Sequence, residues 1–247
     1  MSTETPKSDG DAWARPVDHL QVAGVEPGAT GRNVTGRRPT SPVHGFGRMW
    51  QKAYRVRLTG SAATPAEVIG VWKRDFPTFW PEGNRFFAPL AGIRPGEVAV
   101  IDLSMPGRLK LSTGVLVMYA DDESFTLMTP QGHMFAGWIT FSAFRDAGAT
   151  VAQVQALIRA SDPLYELGMV IGFLGAKEDR FWRHTLQSLA GRFGVYGQPV
   201  EMQVVRVDRA RQWSRAVNVW RNAGVWSTLY LLAAPVRWIR RRARAAQ

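Results

Sequence analysis

The sequence has no cysteine and only four histidines. Without cysteine the chain cannot form a disulfide framework, a thiolate zinc site or a cysteine nucleophile, and this composition fits a reducing cytoplasm. The histidines His19, His44, His133 and His184 are scattered and match no metal-ligand spacing. We therefore expect no metal ion.

Glycine motifs that bind phosphate are also missing. Neither GxGxxG nor GxxxxGK[ST] occurs, so the chain has no loop of the kind that cradles a nucleotide phosphate, and we expect no cofactor. The N-terminal segment lacks a charged region followed by an apolar one, which predicts that there is no secretory signal. We expect a cytoplasmic protein.

Acidic residues are absent from the C-terminal segment, and this absence concentrates the positive charge there. The formal net charge is +11; residues 209–247 contain nine arginines and no acidic residue, which leaves +2 (11 − 9) for the rest of the chain. The main domain is therefore close to neutral. A polyanionic partner, if there is one, is expected to meet the C-terminal segment.

Composition divides the chain into three regions. Residues 1–45 are rich in Gly, Pro, Ser and Thr with few apolar residues, which predicts an N-terminal arm that is disordered or loosely draped over the domain. Residues 46–198 are expected to form one domain, since hydrophobic residues make up 45% of the chain and can supply a core. Residues 199–247 are expected to form a strand and a basic amphipathic helical extension.

The strand pattern is clearest between Ser124 and Phe144. Two runs of alternating apolar residues flank a turn at Pro130, Gln131 and Gly132, which predicts a β-hairpin. Other predicted strands cover residues 52–59, 86–90, 97–104, 111–119, 150–160 and 200–207. Residues 150–160 can also be read as a helix, but their Val, Thr and Ile content favours a strand. Short turns between these runs indicate an antiparallel sheet.

Helix starts are marked by capping residues. Thr64, Pro65 and Glu67 form a capping box, which predicts a helix that continues to Pro77. Asp162 and Pro163 open a second helical region that continues, interrupted by glycines, to about residue 193. A further helix is predicted over residues 209–222.

This order of elements resembles the helix-grip fold of START-like lipid carriers, birch-pollen-allergen-like proteins and polyketide cyclases. Residues 128–168 are similar to a bacterial and plant domain-of-unknown-function family in that group. Pro130, Gly132 and His133 match the turn of that family, which ends in Gly-His. Pro163, Leu167 and Gly168 match its later motif, which contains a proline, a leucine and a glycine. The similarity covers residues 54–194. It implies an α+β fold, in which a curved antiparallel sheet wraps a long C-terminal helix and encloses an apolar cavity.

Several side chains are candidates for such a cavity, because aromatic and methionine residues dominate small-molecule pockets. For each of them the alternative is ordinary core packing. The predicted ligand-binding residues are Trp72, Trp80, Tyr119, Met128, Trp138, Tyr165 and Phe181. His133 is the one candidate catalytic residue, and the alternative is a turn histidine bonded to backbone.

The end of the chain combines apolar and basic residues. Residues 223–234 are mostly apolar and too short to span a bilayer, but they suit a helix that lies at a membrane interface. The predicted membrane-binding residues are Trp226, Tyr230, Arg237, Trp238, Arg240, Arg241 and Arg242. The alternative is a helix that docks on its own domain, and both remain open.

Together these patterns predict a protein that binds a hydrophobic small molecule or lipid in an internal cavity, at or near an anionic inner membrane surface. The first alternative is a cyclase-like or dehydratase-like enzyme, since the similarity to polyketide cyclases implies that the same cavity can hold an apolar substrate. The second alternative is nucleic-acid binding through the basic tail, which ranks lower because no nucleic-acid-binding module occurs.

Overall fold

The structure is a computed structural model in which residues 9–105 and 110–233 are described. The strands are β1 (Met49–Arg57), β2 (Arg85–Phe87), β3 (Val98–Ser104), β4 (Lys110–Ala120), β5 (Ser124–Met128), β6 (Phe135–Asp146), β7 (Ala149–Ala160) and β8 (Glu201–Asp208). The α-helices are α1 (Pro65–Asp75), α2 (Pro163–Val170), α3 (Phe173–Arg192) and α4 (Ala223–Leu232). Short 3-10 helices cover Asp9–Ala12, Pro42–His44, Phe76–Phe79 and Trp213–Arg221.

The strands form one antiparallel sheet in the order β2-β3-β4-β5-β6-β7-β1-β8. The predicted hairpin is confirmed, because β5 pairs with β6 and places Phe125 opposite Phe141. Residues 149–160 form strand β7, which pairs with both β6 and β1. Helix α3 packs Leu186 and Leu189 against the side of the sheet that carries Tyr54. The predicted α+β helix-grip fold is therefore confirmed.

Local capping fixes where two helices begin. The Thr64 hydroxyl accepts a hydrogen bond from the backbone of Glu67, and the Glu67 carboxylate accepts one from the backbone of Thr64 at 2.7 Å, as the capping box predicts. Asp162 caps α2 by accepting from Leu164 and Tyr165. Each cap satisfies backbone donors that the first turn of a helix leaves unpaired.

The N-terminal arm differs from its prediction. In its described part, residues 9–45, the chain lies along the sheet through bridges of Trp13 with Tyr119, Val25 with Pro89 and Pro39 with Pro130. Leu20 and Val34 are fully buried with Val98 and Leu116. A few well-placed apolar side chains thus anchor a segment whose average composition predicts disorder.

The segment before α4 also differs from its prediction. A regular helix was expected over residues 209–222, but the structure has a 3-10 helix, Trp213–Arg221. The backbone N–H of Gln212 donates to the carbonyl of Phe46, and the Asn218 side chain donates to the carbonyls of His44 and Ser161. These contacts tie the segment to the domain surface.

Candidate functional site

A cavity lies between helix α3 and the sheet. Its volume is about 120 Å³, and its walls come from β3, β4, β5, β6, β7, α3 and the 3-10 helix that follows α1. Most of the lining is apolar, and the polar lining side chains are Asn84, Thr129, His133, Lys177 and Glu178. The remaining lining residues are Phe76, Trp80, Ile101, Leu103, Val115, Leu127, Met134, Phe135, Trp138, Ile139, Ala156, Ile158, Leu174, Phe181 and Trp182.

Beside the cavity, rings from α1, from the 3-10 helix that follows it and from β5 and β6 pack together. We call this group the aromatic cluster: Trp72, Phe76, Phe125 and Phe141. Phe125 and Phe141 stack at 4.5 Å between ring centroids, and Trp72 meets Phe141 edge-on at 5.2 Å. Such offset and edge-on contacts fill space closely. The cavity begins where this cluster ends, and Phe76 belongs to both.

His133 lies in the cavity wall just before β6 and is only 8% exposed. Its Nδ1 lies 3.0 Å from the backbone nitrogen of Phe135 and 3.1 Å from the carbonyl oxygen of the same residue. Burial lowers the pKa of His133 to about 4, even though the contact with Phe135 acts in the opposite direction. The imidazole is therefore neutral near pH 7.

A buried charge cluster adjoins the cavity, where strand β1 meets α3. Lys52 Nζ donates to Glu178 Oε2 at 2.9 Å and to Asp179 Oδ1 at 2.8 Å, and the Tyr54 hydroxyl donates to the same Asp179 oxygen at 2.6 Å. The side chains of Lys52 and Glu178 are 5% and 8% exposed, so both charges have largely lost their water.

The pKa values of this cluster follow from burial and from the sharing of one ammonium between two carboxyl groups. Burial by itself lowers the pKa of Lys52, but the two carboxylates outweigh it and the net pKa is raised. Burial raises the pKa of Glu178, and Asp179 adds to this, although Lys52 partly offsets both. For Lys52 the two carboxylates together outweigh the effect of burial on the pKa, whereas for Glu178 burial and Asp179 outweigh the effect of Lys52.

The other polar groups of the cavity wall mostly bond to backbone. Thr129 exchanges hydrogen bonds with Gly137, Asn84 donates to the Pro81 carbonyl, and Lys177 Nζ donates to the Ser104 carbonyl. Burial lowers the pKa of Lys177, and nearby Arg180 lowers it further. The Nε1–H of Trp80 is different, because it is buried and has no acceptor among the described residues.

The structure divides the predicted ligand-binding residues into two groups. Trp80, Trp138 and Phe181 line the cavity. Trp72 lies in the aromatic cluster, Tyr119 packs on Trp13 and donates to Asp121, Met128 is half-buried on β5, and Tyr165 packs beside α4 with its hydroxyl bonded to the Gly224 N–H. These four residues do not line the cavity. Their spacing in the sequence could not show which side chains fill the core and which surround the cavity.

The sequence analysis did not predict Lys52 and Glu178 as site residues, although the position of each on an apolar face could have indicated them. Lys52 is in phase with Tyr54 and Val56, which form the buried face of β1. Glu178 lies three and four residues before Phe181 and Trp182, so it faces the sheet with them. A lysine and a glutamate that both interrupt apolar faces indicate a buried ion pair.

The C-terminal extension docks on the domain in its described part. Asn222 caps α4 and donates to Asp162, the hydroxyl of Ser227 accepts from the backbone of Ser112, and Ala223 is fully buried. Burial raises the pKa of Asp162, although its hydrogen bonds partly offset this. Helix α4 thus packs on its own domain, as the second of the two alternatives for this segment expects.

The predicted membrane-binding residues lie partly inside and partly outside the described chain. Trp226 is 50% exposed, and the guanidinium of Arg32 lies 3.2 Å from the centre of the Tyr230 ring. Arg237, Trp238, Arg240, Arg241 and Arg242 lie outside the described residues. Their membrane role stays a prediction.

Two searches of the described residues bear on the class of protein. They contain no group of three His, Asp or Glu side chains placed to hold a metal ion. None of the helices in residues 9–105 and 110–233 has the length and apolar character needed to cross a bilayer.

Comparisons with known proteins concern the fold. No protein-family model matches the chain, and no curated protein matches it by sequence. Among solved structures it is similar to a START superfamily protein from Mycobacterium smegmatis, with 22% identity, coverage of 60% of this chain and 98% of that one, and a TM-score of 0.41.

Two other solved structures are also similar to the chain. The di-domain ARO/CYC StfQ from the steffimycin biosynthetic pathway has 10% identity, covers 60% of this chain and 53% of its own, and has a TM-score of 0.44. Ara h 8.0201 has 12% identity, with coverage of 59% and 97% and a TM-score of 0.38. At these identities and TM-scores the similarities concern the fold, and they assign no family, ligand or reaction to this chain.

Proposed function

We propose that this protein binds a hydrophobic small molecule in the cavity between α3 and the sheet. The observation that carries the proposal is an apolar cavity of about 120 Å³ beside a closely packed aromatic cluster. Apolar cavities of about 150 Å³ stay dry and take up benzene-sized molecules. A ligand in an apolar cavity gains dispersion contacts with the walls.

The cavity volume limits the ligand class. Pockets for drug-sized ligands measure roughly 300–1,000 Å³, so the present cavity suits one ring or the end of a chain. A whole lipid or a polyketide would need the walls to move apart. The proposed ligand is therefore a small aromatic or alicyclic molecule, or the tail of a longer lipid.

Native mass spectrometry of protein purified from its own host tests this proposal. We expect wild type to retain an apolar molecule that organic extraction releases. Ala156 lies on the cavity wall and is fully buried, so Ala156→Leu fills the cavity and should retain none. Equal retention by both proteins, or none by wild type and no binding of apolar probes, would contradict it.

A cyclase-like enzyme is the alternative use of the same cavity, with His133 as the polar group. His133 does line the cavity. A neutral imidazole with a pKa of about 4 is a weak general base at pH 7, however, and one of its nitrogens already contacts Phe135. Binding without turnover is therefore the preferred function, and turnover that His133→Ala abolishes while ligand is retained would reverse this preference.

An anionic membrane is the second proposed partner, because the docked extension leaves large aromatic residues in water. Trp213, Trp220 and Trp226 are 74%, 79% and 50% exposed. Burial lowers the pKa of Arg37, and the positive charge of nearby Arg221 adds to this. Exposed tryptophan beside arginine suits the headgroup region of an anionic bilayer.

Vesicle sedimentation at low and high salt tests the membrane proposal. Trp220→Ser with Trp226→Ser should weaken binding to anionic vesicles, and salt should weaken binding by wild type. Trp13→Ser is a matched control, since Trp13 is 51% exposed but contacts Tyr119 away from the extension. An equal loss in the control would contradict the proposal. Binding to nucleic acid in place of vesicles would favour the lower-ranked alternative.

A further inference from the structure

Exposed apolar side chains are concentrated on three short segments of the chain. In residues 9–105 and 110–233, 23 large hydrophobic side chains are exposed. Five of these lie in α2 and at the start of α3, three in the 3-10 helix Trp213–Arg221, and five in α4. Leu167 and Ile171, for example, are 57% and 69% exposed. Such a concentration marks a surface that contacts a protein or a membrane.

Hydrogen bonds hold the three segments next to each other. The Asn218 side chain, in the 3-10 helix, donates to the Ser161 carbonyl just before α2 at 2.9 Å. The Tyr165 hydroxyl of α2 accepts from the backbone N–H of Gly224, at the start of α4, at 3.0 Å. The exposed side chains therefore belong to one region of the surface. We call this region the helical face: residues 161–176 and 209–233.

The helical face carries positive charge and no exposed acidic residue. Its two acidic residues, Asp162 and Glu166, are 0% and 4% exposed. Arg209, Arg215 and Arg221 are exposed. An apolar surface with cations and without exposed carboxylates complements the headgroup region of an anionic bilayer. The charge thus favours a bilayer as the partner of this surface.

Helix α2 lies against the first turn of α3, which also forms part of the cavity wall. Leu174 lines the cavity and belongs to one buried cluster with Tyr165 of α2 and the cavity residues Met134 and Ile158. A Cβ atom on Gly168 would approach the Leu174 side chain to 2.8 Å, so the α2 backbone comes close to this wall residue. The helical face therefore adjoins the part of the domain that holds the cavity.

We propose that the helical face docks on an anionic bilayer, with α2 entering the headgroup region together with the C-terminal extension. The inference rests on the proposed membrane partner and adds the helix that packs beside the cavity. Leu164, Leu167 and Ile171 are the lipid contacts of α2. Docking in this orientation brings the bilayer, in which apolar molecules concentrate, next to the cavity.

The absence of cysteine allows a single label to report on α2. Leu167→Cys carries an environment-sensitive NBD fluorophore. Leu90→Cys is the matched control, because Leu90 is 73% exposed and lies between β2 and β3, outside the helical face. With phosphatidylcholine vesicles that contain phosphatidylserine, we expect the label at residue 167 to shift its emission to the blue, and high salt to reverse the shift. The label at residue 90 should not respond.

Leu167→Ser combined with Ile171→Ser measures what these side chains contribute to vesicle binding. The apparent Kd for the same vesicles should rise by about tenfold, because two aliphatic side chains lose their burial in lipid. Leu90→Ser combined with Tyr196→Ser is the control. Tyr196 is 79% exposed and follows α3, whose 20 residues span about 30 Å from the end that meets α2. This control should bind as wild type does.

The outcomes distinguish this inference from the membrane proposal on which it rests. If wild type binds no anionic vesicles, both fail. If wild type binds but the label at residue 167 does not respond and Leu167→Ser with Ile171→Ser binds equally well, the C-terminal extension acts alone and docking of α2 is rejected. A wild-type dimer in analytical ultracentrifugation that this variant dissociates would place a second copy on the helical face and would also overturn the inference.

Discussion

The core on the helical side of the sheet has two parts that are built differently. In the aromatic cluster, Trp72, Phe125 and Phe141 fill the space with stacked and edge-on rings. In the cavity, the same sheet faces Leu174, Lys177 and Glu178 of α3, and a space of about 120 Å³ remains. The aromatic cluster supplies packing and stability. This allows the neighbouring cavity to stay open and to bury charged side chains.

The largest expected effect is a difference in unfolding free energy between a substitution in the aromatic cluster and one in the cavity wall. Trp72→Ala should lower the free energy of unfolding by about 3–5 kcal/mol, because it leaves a hole in a closely packed cluster. Trp138→Ala, on the cavity wall, should cost about 1–2 kcal/mol, since this ring is only half-buried. Urea denaturation measures both. Equal losses would mean that the two parts do not differ in packing.

The second prediction concerns pH and the buried histidine of the cavity. The pKa of His133 is about 4 in the folded protein against an ordinary value of 6.5, so between these values the unfolded chain binds the extra proton. Its contribution to stability is complete above pH 6.5, falls as the pH decreases towards 4, and amounts to about 3 kcal/mol.

His133→Asn provides the control for that pH dependence, because an amide oxygen can accept from the Phe135 N–H without titrating. The difference in unfolding free energy between wild type and the variant should change by about 3 kcal/mol between pH 7 and pH 4. A pH-independent difference would show that the imidazole is not desolvated in the cavity.

The third and smallest effect uses two alanines of β7 as a matched pair. Ala152 and Ala156 are fully buried on the same face of the strand, but Ala152 packs with the aromatic cluster and Ala156 lines the cavity. Ala152→Leu should overpack and cost about 1–3 kcal/mol, whereas Ala156→Leu should stay within about 1 kcal/mol of wild type. Thermal unfolding compares them. A larger loss for Ala156→Leu would mean that the cavity is not open.

Much of the fold could be predicted because its signals are local. Two-residue alternation identified the β5–β6 hairpin and β7, and the capping box at Thr64 identified the start of α1. The anchoring of residues 9–45 could not be predicted, because it depends on where Leu20 and Val34 meet the distant strands β3 and β4.

The site was less predictable than the fold, because a cavity is a property of three-dimensional packing. Trp72 and Trp80 look alike in the sequence, yet one fills the core and the other lines the cavity. Lys52 and Glu178 are 126 residues apart, and only the fold brings their charges together. The one sequence signal for this ion pair was that each charged residue occupies a position on the otherwise apolar face of its element, β1 or α3.

Methyl NMR with toluene tests the central claim most directly, because it reports on both parts of the core in one experiment. The account predicts saturable shifts for Ile101, Leu127, Ile158 and Leu174, which line the cavity, and their loss in Ala156→Leu. The methyl groups of Val56, Ile69 and Leu189, which lie in the core cluster and do not line the cavity, should barely change. Shifts spread evenly over both sets, or no saturable shift at all, would contradict the account.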